Sequence, residues 1–136
     1  MIDMKKISGL AALGLAVGFS GLASAHHSFA MFDRGVLAEV SGTIKDVQWT
    51  NPHVYVDLIS RDGNTTTTWT FEAGAPLQLE HSGFTSTTLK AGDQVVIRMH
   101  PLKNGAAGGE LVSVKTASGR NFALDGSGPP PPTAPK

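Results

Sequence analysis

Two adjacent histidines, His26 and His27, follow the sequence Ala23-Ser24-Ala25 near the amino terminus. Small residues at alternate positions are typical of the site where a signal peptide is removed from an exported protein. Cleavage after Ala25 makes His26 the first residue, with a free α-amine beside its imidazole. Both groups are substantially neutral around neutral pH, and together they close a chelate ring on one metal ion. The sequence therefore predicts a metal site that is created by cleavage.

Copper is the metal that these nitrogen donors favour, because the order of divalent affinities places it ahead of zinc and nickel. The arrangement resembles half of the histidine brace of copper proteins, which a further histidine from the fold completes. His53 and His100 are candidates for that histidine, and Met31 or Met99 could supply a thioether to Cu(I). The predicted metal ligands are His26, His27 and His53.

Tyr55 and Asp57 are predicted to support His53. Side chains alternate along an extended strand, so these three residues share one face if the strand begins at His53. A polar neighbour of a ligating histidine fixes the orientation of its ring. The same cluster also fits an ordinary hydrogen-bonded polar face without any metal.

The histidines also allow an interpretation without metal. His26 and His27 can form a solvated terminus, and His53 can fix the turn that follows Pro52. His81 lies near the end of a predicted helix, where a positive charge is favourable, and His100 lies at an exposed strand end. Under this alternative the protein is a structural module, or it binds an envelope protein or a glycan. An exposed strand edge or the proline-rich tail would then engage the partner.

Composition excludes several classes of function. The chain has no cysteine, which removes disulfides, thiol redox centres and cysteine nucleophiles. Its 11 Lys and Arg balance its 11 Asp and Glu, and this argues against nucleic acid as a partner. The carboxylates form no recognisable acid and base pair, and no serine lies in a nucleophile-elbow pattern. We therefore expect a binding module and not an enzyme.

Residues 1–25 are predicted to be a signal peptide. Lys5 and Lys6 precede an apolar stretch from Gly9 to Phe19, which is too short and glycine-rich for a transmembrane helix. No second long hydrophobic segment follows, so no membrane span is expected in the mature chain. The predicted location is the periplasm, with secretion as the alternative.

Residues 26–124 are predicted to form an all-β domain with a small α-helical insertion. Strand patterns occupy residues 37–49, 53–60, 65–74, 94–100, 111–114 and 121–124, and a short helix begins at 75–77 and ends at 82–83. A change of phase predicts a β-bulge near residues 45–46, and KNGAAGG at 103–109 is predicted to be a flexible loop. This order fits a five- to six-stranded OB-like Greek-key barrel with one short helix. Residues 125–136 are predicted to be a disordered proline-rich tail.

Four aromatic residues offer a second binding chemistry, because aromatic rings on an OB-like face can stack on sugars. They are Trp49, Tyr55, Trp69 and Phe71. Trp69 and Phe71 alternate with polar threonines, and this pattern favours packing in the core over binding.

Four segments carry a family resemblance: AHHSFAMFD at 25–33, VSGTIKDVQWTNPHVYVDL at 40–58, WTFEAGAP at 69–76 and LKAGDQVVIRMHP at 89–101. In these the chain resembles DUF6152, an exported bacterial family of unknown function. The pair HHSFA and WTNPH is the more specific part, whereas LKAGD is common to many OB-like barrels. The resemblance implies an exported OB-like β-barrel and implies no particular activity.

Overall fold

The computed structural model describes residues 29–125. The predicted signal peptide, His26, His27 and the predicted tail from residue 126 onward therefore lie outside the described residues. Residues 29 and 30 are helical, and six strands and a further short helix follow them within the described range. They are β1 (Ala38–Gln48), β2 (Tyr55–Asp62), β3 (Thr65–Glu72), α1 (Pro76–His81), β4 (Gln94–Pro101), β5 (Gly108–Thr116) and β6 (Asn121–Ala123).

Five of these strands close a barrel. Strand β1 lies between β2 and β4 and is antiparallel to both, while β3 extends the sheet beside β2 and β5 extends it beside β4. The parallel pairing of β3 with β5 joins the two edges, and β6 adds a further antiparallel strand to β5. The predicted all-β, OB-like barrel with a short helix is confirmed.

Alternation along the strands fills the barrel interior, as the sequence predicts. Val54, Val56 and Leu58 are fully buried, and Phe71 on β3 is buried with them. The Trp69 ring stacks beside Phe71 with 6.2 Å between ring centroids, and it packs against the core. Core packing is therefore the role of this aromatic pair.

The predicted bulge in β1 is confirmed. Ile44 pairs with Leu58, and the next paired residue of β1 is Asp46, which pairs with Asp57. Lys45 has no partner in the register, so the side chains after it change face relative to those before it.

Helix α1 has the predicted limits and contributes Leu79 to the core of the barrel. Pro76 lies in its first turn, Leu79 is fully buried, and the chain leaves through Gly83 at φ 78°. Phe84 then packs edge-to-face on Phe122, with ring centroids 5.5 Å apart. No helix within residues 29–125 is long and apolar enough to cross a bilayer.

Several boundaries differ from the predictions: β3 ends at Glu72 and not at residue 74, and β5 ends at Thr116 and not at residue 114. Strand β2 begins at Tyr55 and not at His53, although the Val54 backbone pairs with residues 73 and 74. The predicted loop 103–109 is wrong at its end, because Gly108 already belongs to β5. A Cβ atom at Gly108 would lie 2.5 Å from the carbonyl oxygen of Thr70, so glycine permits the close approach of β3 that closes the barrel.

Candidate functional site

Four polar residues lie side by side on the adjacent strands β2, β3, β5 and β4 and form a row across the sheet. Tyr55 pairs with Glu72, Glu72 pairs with Glu110, and Glu110 pairs with His100. Residues that are paired across strands point to the same face of a sheet. Their neighbours Val56, Phe71 and Met99 face the core, so the row faces outward.

His53 is fixed to one end of this row by Glu72. Its Nδ1 atom lies 2.6 Å from Oε1 of Glu72, and the two side chains are 30% and 14% exposed. Because a carboxylate accepts, Nδ1 carries the hydrogen and Nε2 remains available for a ligand. The backbone is fixed as well, since Thr50 Oγ1 donates to the His53 carbonyl oxygen at 3.0 Å.

Arg34 binds Glu110, the second carboxylate of the row, through two hydrogen bonds. Its Nε donates to Oε2 of Glu110 at 2.9 Å, and its Nη2 donates to Oε1. This hydrogen bonding to Glu110 raises the pKa of Arg34. The guanidinium also lies over the ring of Phe29, 4.5 Å from its centroid. Glu110 is therefore neutralised by a cation and is not an available ligand.

His100 lies at the other end of the row. Its Nδ1 lies 2.7 Å from the carbonyl oxygen of Val36, which can only accept, so Nδ1 donates and Nε2 is left available. The prediction of a simply solvated histidine at a strand end is wrong, because the residue is half-buried and hydrogen-bonded.

A pocket of about 380 Å³ joins these groups, and we call it the histidine pocket. The polar and aromatic residues that line it include Phe29, Arg34, His53, Glu72, His100 and Glu110. Phe29 is the first described residue of the chain. The segment that carries His26 and His27 is therefore connected to the protein at the wall of this pocket.

The supporting residues differ from those that the sequence singles out. Asp57 accepts a hydrogen bond from Thr70 Oγ1 at 2.7 Å, and no contact joins it to His53 among the described residues. Tyr55 lies opposite Glu72, and Glu72 supplies the contact to His53. Sequence reasoning missed Glu72 in this role. The turn between β2 and β3 could have revealed it. If Asp62 pairs with Thr65 across this turn, the residues seven positions further along each strand, Tyr55 and Glu72, also pair.

Of the described residues, the other histidines and methionines that could bind a metal do not line the histidine pocket with His53. His100 is the exception. Met99 is 2% exposed and lies in the core, whereas Met31 is about half exposed and His81 ends α1 outside the pocket. Within residues 29–125 no three histidine, aspartate or glutamate side chains are grouped so that they could hold a metal ion.

A family model described as a family of unknown function, DUF6152, matches residues 15–112. No curated protein and no solved structure matches the chain. The matched range covers well over half of the 136 residues and includes β1 to β4 and every residue of the histidine pocket except Leu124 and Asp125. The chain therefore belongs to the DUF6152 family.

Proposed function

We propose that this protein is an exported, non-enzymatic binding module that holds one copper ion between its mature amino terminus and His53. Removal of residues 1–25 in the periplasm is part of the proposal. The observation that carries it is that Phe29 and His53 line the same pocket. The α-amine and imidazole of His26 supply two ligands, and His27 and His53 supply further imidazoles.

Chain length supports this arrangement. His26 and His27 precede Phe29 by three and two residues, and an extended residue spans about 3.3–3.6 Å, so His26 reaches at most about 11 Å from Phe29. His53 lines the pocket that Phe29 also lines. Under the proposal, His26 and His27 enter this pocket from Phe29 and bind the ion together with His53.

The hydrogen bond from His53 to Glu72 also supports the proposal. It holds the ring with Nε2 available, and a carboxylate that accepts from the distal nitrogen fixes the orientation of a ligating imidazole. Tyr55 lies beside the same carboxylate and completes the polar surroundings. Glu72 also supplies negative charge close to a bound cation.

The second candidate is a module that binds an envelope protein. Its supporting observation is a group of large apolar side chains that are about half exposed in the segment before β1: Phe29, Met31, Val36 and Leu37. Glycan binding has less support, because Trp69 and Phe71 pack in or against the core and offer no free stacking platform.

The test is a calorimetric copper titration of the mature protein that begins at His26, with a competing chelator. The expected result is one tightly bound ion per chain and, for His53→Ala, a loss of affinity that exceeds the roughly 10- to 100-fold typical of removing a residue that only supports a ligand. His81→Ala is the matched control, because His81 is an exposed histidine outside the pocket. Equal affinities for the two variants would exclude His53 as a ligand and favour the second candidate.

A further inference from the structure

A second depression, of about 400 Å³, lies on the outer face of β4, β5 and β6. It is lined by Glu39, Val96, Arg98, Ser113, Lys115 and Asn121, together with Gly119. None of these residues lines the histidine pocket. We call it the outer-face depression, and the inference drawn from it does not depend on copper binding.

The strand register brings two cations to this depression. Arg98 pairs with Ser113, and Lys115 pairs with Asn121. Ser113 and Lys115 are two residues apart on β5, so their side chains lie on one face, and Arg98 and Lys115 are diagonal neighbours. Two long basic side chains can therefore reach one small ligand between them.

Neither cation is neutralised within the described chain. No hydrogen bond or ion pair joins Arg98 or Lys115 to another side chain in residues 29–125. Glu39 is opposite Arg98 in the register, yet the two form no ion pair. The depression therefore carries two positive charges and one negative charge, and its net charge favours an anion.

Ser113 adds an unpartnered hydroxyl to the lining of the depression. It is only 7% exposed, and its hydroxyl has no hydrogen-bond partner within residues 29–125. The hydroxyl oxygen is not sealed from solvent, since no buried side-chain oxygen of the described residues lacks a partner. A polar group at such depth is normally satisfied, and because Ser113 lines the depression, water or a ligand bound there can satisfy its hydroxyl.

We propose that the outer-face depression binds a tetrahedral oxyanion, a phosphate or sulfate group, through Arg98 and Lys115. The guanidinium can donate two parallel hydrogen bonds to the oxygens, and the ammonium adds a point charge. The Ser113 hydroxyl and the Asn121 amide are further donors at the base of the site. The oxyanion is either free in solution or the headgroup of an anionic lipid.

The test is a titration of the copper-free full chain with inorganic phosphate, followed by amide chemical shifts. We expect shifts concentrated at Arg98, Ser113, Lys115 and Asn121. Arg98→Gln should weaken binding by about tenfold or more, as loss of one charge-assisted hydrogen bond implies. Ser113→Ala should weaken it in the same direction. Arg61→Gln is the matched control, because Arg61 is an exposed strand arginine outside the depression, and it should leave the affinity unchanged.

A second arm identifies the source of the oxyanion with phosphatidylglycerol vesicles, using phosphatidylcholine vesicles as the blank. If the protein binds the phosphatidylglycerol vesicles and Arg98→Gln abolishes this binding, the ligand is a lipid headgroup. If the protein binds phosphate but not the vesicles, the ligand is the free ion. Absence of both, or equal losses for Arg98→Gln and Arg61→Gln, would overturn the proposal.

Discussion

Oε1 of Glu72 lies 2.6 Å from Nδ1 of His53, at the point where the end of β3 runs beside the residues that precede β2. This contact selects the nitrogen by which His53 can bind a ligand, because the hydrogen on Nδ1 leaves Nε2 as the acceptor. Glu72 on β3 therefore fixes which nitrogen of the His53 ring is available to a ligand.

Replacing Glu72 with glutamine should weaken copper binding. Glutamine keeps the size of the side chain but removes the charge that orients and polarises His53, and losses of this kind are about 10- to 100-fold in metal sites. Competition titration against a chelator measures the change. Glu80→Gln is the control, since Glu80 is an exposed residue of α1. An unchanged affinity for Glu72→Gln would show that Glu72 does not act on the metal site.

The hydroxyl of Tyr55 should lose its proton at a higher pH than an ordinary tyrosine. Burial, and secondly the charge of Glu72, raise the pKa of Tyr55 above its ordinary value of 10.0. In the unfolded chain the phenol loses its proton first, so the associated stability is fully present below about pH 10 and decreases as pH rises through the folded-state pKa. The ultraviolet absorbance of the phenolate reports Tyr55 alone, because it is the single tyrosine of the sequence. Titration at or below pH 10 would contradict the assignment, and Glu72→Gln should lower the pKa.

Much of the barrel follows from local pattern. Val54, Val56 and Leu58 alternate with polar residues, and the change of phase at Lys45 predicts the bulge. These features depend only on neighbouring residues, which is why the sequence reveals them.

Features that depend on contacts between distant segments were harder to predict. The contact of His53 with Glu72 requires the register of β2 against β3, and the strand conformation of Gly108 requires the closure of β3 on β5. Glycine-rich sequence is typical of loops, so the pattern alone favours a loop at 103–109. Barrel closure overrides that local preference at Gly108.

Gly108→Ala should destabilise the barrel. The added Cβ would lie 2.5 Å from the Thr70 carbonyl oxygen, so β3 and β5 must separate, at a cost of roughly 1–3 kcal/mol. Urea denaturation measures the free energy of unfolding. Gly35→Ala is the control, because its nearest contact is the Asp33 side chain at 3.4 Å, and its effect should stay within about 0.5 kcal/mol. Similar stabilities for the two variants would contradict the tight closure.

The ion pair of Arg34 with Glu110 should contribute little to stability. The Arg34 side chain is 53% exposed, and pairs of this kind contribute about 1 kcal/mol or less. A double-mutant cycle with Arg34→Gln and Glu110→Gln measures the coupling, which should decrease at high salt. Arg34→Gln alone should cost more than both changes together, because it leaves Glu110 unpaired beside Glu72. A coupling energy of several kcal/mol would contradict this prediction, because it would require a pair that is shielded from solvent.

The most direct test of the central claim is a thermodynamic cycle of copper affinity. It compares the mature protein that begins at His26, a version with one extra residue before His26, His53→Ala, and the protein that carries both changes. If the terminus and His53 bind the same ion, the two changes are not additive, and His53→Ala weakens binding much less in the extended protein. Strictly additive losses, or affinities that neither change affects, would contradict a copper site shared by the amino terminus and the barrel.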